Sequence, residues 1–331
     1  MRTIHRPPSS LSSLLLGSLL AALLAGCGGG GSGGDSSSPG SVVVNPPTSP
    51  TTPTSPVIPA DAPTLTGNTA TDGVNWFNYR RGMLGLAPLT RNAAIDMAAL
   101  GHSQYQRLNN TVSHDQVQGQ PGFTGVQLTN RLAAAGYTLG GSWAVGEVIS
   151  AASNTSGFYH AEELIAAIYH RFVIFEPRFR EIGSGAVTAS GTYTYFTADL
   201  AANGSLGAGL GAGKIAVYPV DGQTAIPTNF LSDNEAPDPV PNQNEVGYPI
   251  SVHADLGRTG DLTVQSFTVA PRGGAALTTR LLSHATDAAT GDKVAAIIPL
   301  TVLRANTVYD VSFRGTVHGA AVSHDWSFTT R

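Results

Sequence analysis

The sequence predicts an α+β domain followed by a small all-β sandwich, both carried behind an export leader and a flexible tether. Three observations predict it. Apolar residues recur with helical spacing between residues 65 and 171, the period drops to two between Gly183 and Val220, and beyond Tyr218 only short alternating runs separated by turn residues remain. Of 331 residues 41% are hydrophobic and 12% charged, a globular composition diluted by Gly and Pro, much of it between Gly28 and Thr64. The net charge is −4 and no basic run exceeds Arg80-Arg81, so nothing provides an electrostatic footprint for nucleic acid. A single Cys excludes a disulfide scaffold and a cysteine-based zinc ribbon.

The chain opens with Arg2 and Arg6 ahead of an apolar stretch from Leu11 to Leu24, which is the core of a signal peptide and too short for a comfortable membrane span. It ends in Leu24-Ala25-Gly26-Cys27, which resembles a bacterial lipobox. That resemblance implies cleavage before Cys27 and acylation of its thiol, so that residues 1–26 are leader and Cys27 is the lipid attachment point. Gly28 after the cysteine favours the outer membrane if two membranes are present. From Gly28 to Thr64, 27 of 37 residues are Gly, Ser, Pro or Thr, a composition that cannot bury enough apolar surface to offset chain entropy. Residues 27–64 therefore read as a disordered tether, reaching roughly 115 Å at about 3.1 Å per residue when extended. Export also makes a nucleotide cofactor implausible.

Residues 65–218 form the first folded unit. Thr71 or Asp72 can cap a helix carrying Val74, Phe77 and Arg81, which Gly82 to Pro88 ends. A second helix is expected from Asn92 to Leu108, its inward stripe Ile95, Ala98, Ala99, His102 and Tyr105. A short helix follows from Leu128 to Ala135, stopped at Gly136, and a longer one from Tyr159 to Arg171. Thr192 to Thr197 and Lys214 to Tyr218 alternate as half-buried strands do.

These residues also carry a family resemblance. Asn78-Tyr79-Arg80-Arg81-Gly82-Met83-Leu84-Gly85-Leu86-Ala87-Pro88-Leu89 resembles the opening motif of the CAP (SCP-like) superfamily. Ser113-His114-Asp115, Gly119 to Gly125, Arg131 to Tyr137, Gly146-Glu147-Val148-Ile149, His170-Arg171 and Glu181 to Gly185 resemble further bacterial CAP landmarks, in the same order. The resemblance implies a three-layer α-β-α sandwich with a cleft lined by two His and two Glu that often binds zinc. Residue by residue it assigns His114, Glu147 and His170 to that cleft as metal or cleft groups. Val148 stands where the family motif has Asn, and no residue matches the second Glu. Glu163 is a substitute on the expected same face as His170, though seven residues on a helix separate them by about 10.5 Å, and His102 is a further candidate cleft member. His160 reads as a surface or capping residue.

Neutral imidazole and carboxylate are good zinc ligands, and Glu147 would then be ligand or general base. No H-E-x-x-H and no G-x-S-x-G is present, which excludes a zincin and a nucleophile elbow. Gly207 to Lys214 satisfies the glycine spacing of a nucleotide loop but lacks a preceding strand and a following helix, so it reads as a turn.

Residues 219–331 carry short alternating runs, and Thr307 to Phe313 with Trp326-Ser327-Phe328 resemble a bacterial Ig-like domain. Asp233 to Asn244 reads as an ordinary long loop. The expectation is a lipoprotein on the cell envelope, anchored to the membrane, whose cleft binds a small apolar, glycan or peptide ligand, with or without zinc. The alternatives are a zinc-assisted hydrolase of peptide or cell-wall bonds, for which no complete catalytic constellation is visible, and a structural adhesin.

Overall fold

The computed structural model describes residues 3–6 and 59–331, with side chains from residue 59 onward. Cys27, the apolar stretch of the leader and the tether up to residue 58 lie outside the described residues. In chain order the first unit comprises β1 (Thr3–Arg6), α1 (Thr69–Met83), β2 (Thr90–Arg91), α2 (Ala93–Asn109), α3 (Leu128–Ala134), β3 (Trp143–Ser153), α4 (Gly157–Ala166), α5 (Ile168–Ile174), β4 (Glu181–Thr188) and β5 (Tyr193–Ala202). The strands form one sheet in the order β1-β3-β5-β4-β2. β1 pairs antiparallel with the Trp143–Gly146 end of β3, and a chain cut before Cys27 would lack that edge strand.

The pairing of β3 with β5 sets Glu147 opposite Asp199 and Val148 opposite Ala198. Because successive side chains alternate across a strand, this register sorts the sheet into two faces. Ala144, Val148, Ala198 and Leu200 pack with Val74, Trp76 and Phe77 of α1 and with Phe158 and Leu164 of α4. Val145 and Ala201 pack with Ile95 and Ala98 of α2 and with Leu128 and Leu132 of α3. The sheet is thus covered by helices on both faces, an α+β architecture. α2 lies close against β4 because Gly183 and Gly185 present no side chain, and a Cβ at either would overlap the backbone of Asp96 or Leu100.

Two helices differ from the sequence expectation. α1 is capped by Asn68, whose side chain accepts from Thr71 N, while Asp72 turns back to accept from Thr66 N and Gly67 N. The expected helix from Tyr159 to Arg171 is broken at Ala167, whose ψ of 118° is extended and which closes α4 and opens α5. Helical periodicity persists through a one-residue break, so spacing alone could not register it.

The C-terminal region contains a four-stranded sheet of Thr279–Ser283, Val294–Pro299, Ile250–His253 and Ala216–Tyr218, and a second of Thr263–Pro271, Val308–Val317, Ala320–Thr330 and Gln223–Ile226. Both contribute to one apolar core that includes Val217, Ile250, Ile297, Phe267, Val311, Trp326 and Phe328, and that core is continuous with Trp76 and Phe77 of the first unit. Asn229–Leu231 and Glu245–Gly247 pair as a small ribbon that flanks the segment from Ser232 to Asn244.

Candidate functional site

His114 follows α2, Glu147 lies on β3 and His170 on α5, and the fold brings them together. His114 Nδ1 stands 2.9 Å from Glu147 Oε1. The rings of His114 and His170 face one another with centroids 6.5 Å apart. Their side chains are 26% and 11% exposed, whereas Glu147 is 3% exposed, so solvent reaches the imidazoles and not the carboxylate behind them.

Glu147 is held by a residue that the sequence reading placed in a landmark but gave no role in the cleft. Arg131 of α3, fully buried, donates to Glu147 Oε2 at 2.5 Å and to the His114 carbonyl at 2.8 Å. Burial opposes ionisation of Glu147, but the charge of Arg131 together with His102 and His114 outweighs it and holds the carboxyl below the usual carboxylate range. With both oxygens engaged by cations or N–H donors, Glu147 is an anion at neutral pH. The His114 nitrogen that faces it is therefore Nδ1–H. Burial lowers the His114 pKa, so the ring is neutral and its Nε2 carries a lone pair.

Asp199 lies on the same face as Glu147, directly opposite it, and is also buried. Neither of its oxygens accepts a hydrogen bond from a donor. Burial and the neighbouring Glu147 raise its pKa well above the ordinary value, and it is the protonated member of the carboxyl pair. The sequence did carry a signal for it: one acid inside the apolar strand Tyr193–Ala202.

His170 Nδ1 lies 3.0 Å from Glu235 Oε1. That carboxylate also accepts from the backbone N–H groups of Ile168, Tyr169 and His170. Glu235 has a fully buried side chain and comes from the segment expected to be an ordinary loop, which this contact corrects. Nothing local in Asp233 to Asn244 marks it, because its partners lie more than sixty residues away.

The remaining candidates stand apart. His102 is buried, accepts from Gln116 Nε2 and donates to the Ser113 carbonyl, and burial lowers its pKa to about 4. It secures the segment that carries His114 instead of lining the cleft. Glu163 sits on α4, across the break from His170, so the expected shared helix face does not form. Burial raises its pKa to about 7 and its partner is Tyr159. His160, expected at the surface, is fully buried and bonds Ser150 Oγ and the Asn154 carbonyl. A cavity of about 430 Å³ between the start of α1, α2 and β4 contains none of these groups.

Both oxygens of Glu147 are engaged, Oε1 by His114 and Oε2 by Arg131. Among the described residues no three His, Cys, Asp or Glu side chains are grouped to hold a metal.

Residues 74–200 match the CAP family, described as the cysteine-rich secretory protein family. The CAP match spans α1 to β5 and includes His114, Glu147 and His170, but not Glu235. An extracellular protein with an SCP domain from Bacillus anthracis is 20% identical, with a TM-score of 0.34, over 40% of this chain and 39% of its own. An outer surface protein from Borrelia burgdorferi is 12% identical, with a TM-score of 0.34, over 39% of this chain and 89% of its own. The chain thus spans well under half the length of the first of these. Among curated proteins none matches the chain. No helix of the described residues is long and apolar enough to cross a membrane.

Proposed function

We propose that this chain is an exported, envelope-anchored ligand-binding protein whose CAP cleft holds a small or envelope-derived ligand between His114 and His170. One observation carries the reading: two solvent-reachable imidazoles face each other, each with Nδ1 on a buried carboxylate. Among the described residues neither Nε2 has a hydrogen-bond partner, so each ring keeps a nitrogen for a ligand. These nitrogens suit a ligand that donates O–H or N–H groups, a glycan or peptide in preference to a purely apolar molecule. Membrane attachment through acylated Cys27, a spacer tether and an Ig-like character of the C-terminal sheets belong to this reading and rest on the sequence.

The test is a titration of the chain with a chito-oligosaccharide, a muropeptide and a short fatty acid, following the imidazole NMR signals. Saturable shifts at both rings are expected with the glycan or peptide probes. Affinity should fall about tenfold in His114→Ala or His170→Ala, the worth of one net hydrogen bond. Silence with every probe overturns the reading, and stoichiometric zinc that disappears in the double variant would replace it with a metal-dependent one.

A further inference from the structure

We infer that Glu235 is a positioning residue of the cleft and that the C-terminal region is, through it, a built part of the site. α5 has seven residues, and its Ala167 cap supplies no side-chain hydrogen bond. A helix this short has little stability of its own. Three of its first N–H groups are satisfied by the Glu235 carboxylate, at 2.7 to 3.1 Å.

The next residues are gripped one after another by the same region. Tyr169 Oη donates to Asp287 at 3.1 Å, His170 Nδ1 meets Glu235, and Arg171 donates to the Pro249 carbonyl at 2.7 Å. The Arg171 guanidinium lies 4.9 Å from the ring of Tyr218 and 5.0 Å from that of Tyr248. Ile168, Tyr169 and Phe172 pack in an apolar cluster with Phe230, Val246 and Leu282. Every partner in this account lies beyond residue 215.

Helix capping alone needs only an acceptor at the backbone. Here one oxygen, Oε1, accepts from both His170 N and His170 Nδ1, which ties the ring orientation to the helix terminus. No Lys or Arg among the described residues pairs with Glu235, so His170 is its one partner able to carry charge. The arrangement fixes Nδ1–H and presents Nε2 to the cleft, the same device that Glu147 applies to His114. The inference rests on the proposed ligand reading only for what Nε2 meets.

The experiment is ¹⁵N NMR of histidine-labelled full chain, reading the ring tautomers of His170 and His114 without any ligand. In the wild-type chain both rings should be Nδ1–H. In Glu235→Ala, which removes the acceptor that a glutamine would retain, the fixed Nδ1–H tautomer of His170 should be lost. His114, whose partner is Glu147, should hold. In Asp287→Asn, which loosens Tyr169 and leaves Glu235 in place, His170 should keep its tautomer. A wild-type His170 that is not Nδ1–H overturns the inference without recourse to any variant. So does a Glu235→Ala protein whose His170 tautomer matches the wild type, which reduces Glu235 to a helix cap. Failure of the ligand titration leaves both readouts intact and is therefore a separate result.

Discussion

Asp199 and Glu147 show how two identical functional groups, one strand apart, are driven to opposite protonation states. Glu147 has Arg131 and a histidine N–H; Asp199 has no donor, and an unpaired buried carboxylate is too costly to persist. Its raised pKa means that Asp199 contributes stability that is present at low pH and lost as pH rises through its folded-state value. Asp199→Asn keeps the shape and a neutral donor without that loss. Chemical denaturation of both proteins from about pH 4 upward should show the variant gaining on the wild type as pH rises, and parallel curves over that whole range would refute the assignment. Arg131 is the opposite case. Arg131→Met strands the Glu147 charge and should cost about 3–5 kcal/mol, whereas adding Glu147→Gln should recover part of it, a double-mutant comparison read from denaturation midpoints.

At the scale of elements, glycine placement decides how closely the helices approach the sheet. Gly185 of β4 lies under the Leu100 backbone of α2, and Gly82 of α1 is exposed with open space about it. Gly185→Ala should therefore destabilise by about 1–3 kcal/mol through overpacking. Gly82→Ala should stabilise by about 0.5–1 kcal/mol, because the helix is already formed there and alanine restricts the unfolded chain. Thermal unfolding of the two variants separates them by sign. The ion pair of Arg80 with Glu162, reinforced by Trp76 Nε1 on the same carboxylate, joins α1 to α4 in a manner that residue spacing did not disclose.

For the whole molecule, buried titratable groups lie in both regions and set the pH window of the fold. Burial lowers His102 and His160 to about 4 and His253 to about 3. Below the ordinary histidine pKa of about 6.5 the unfolded chain binds protons that the folded chain refuses, so stability falls as pH drops toward 4. Each of these histidines adds at most about 1.4 kcal/mol per pH unit to that fall. On the other side, burial raises Glu176 to about 8, and its contribution is lost as pH climbs from about 4.5 to that value. Between about pH 4.5 and 6.5 the raised carboxyls of Glu163, Glu176 and Asp199 oppose the histidine effect, and above about 6.5 the carboxyl effect stands alone. Denaturation midpoints should thus fall from about pH 6.5 toward 8; a flat profile there would count against buried neutral carboxyls.

The α2 stripe ending in Tyr105 was legible because it rests on local periodicity, whereas the expectation of helices first and strands later missed β3, which precedes α4 and α5. His114, Glu147 and His170 were legible as a motif order, while the readings of a leader, a tether and an acylated Cys27 rest on the sequence alone. Tertiary structure decided the rest. It broke the fourth helix at Ala167, buried His160, brought Asp199 against Glu147 and supplied Glu235 to His170 from the C-terminal region. The physical reason is range. Capping, alternation and amphipathic spacing act over a few residues and leave a trace in composition, whereas a buried acid meets its partner only when chain segments far apart in sequence close on the same point.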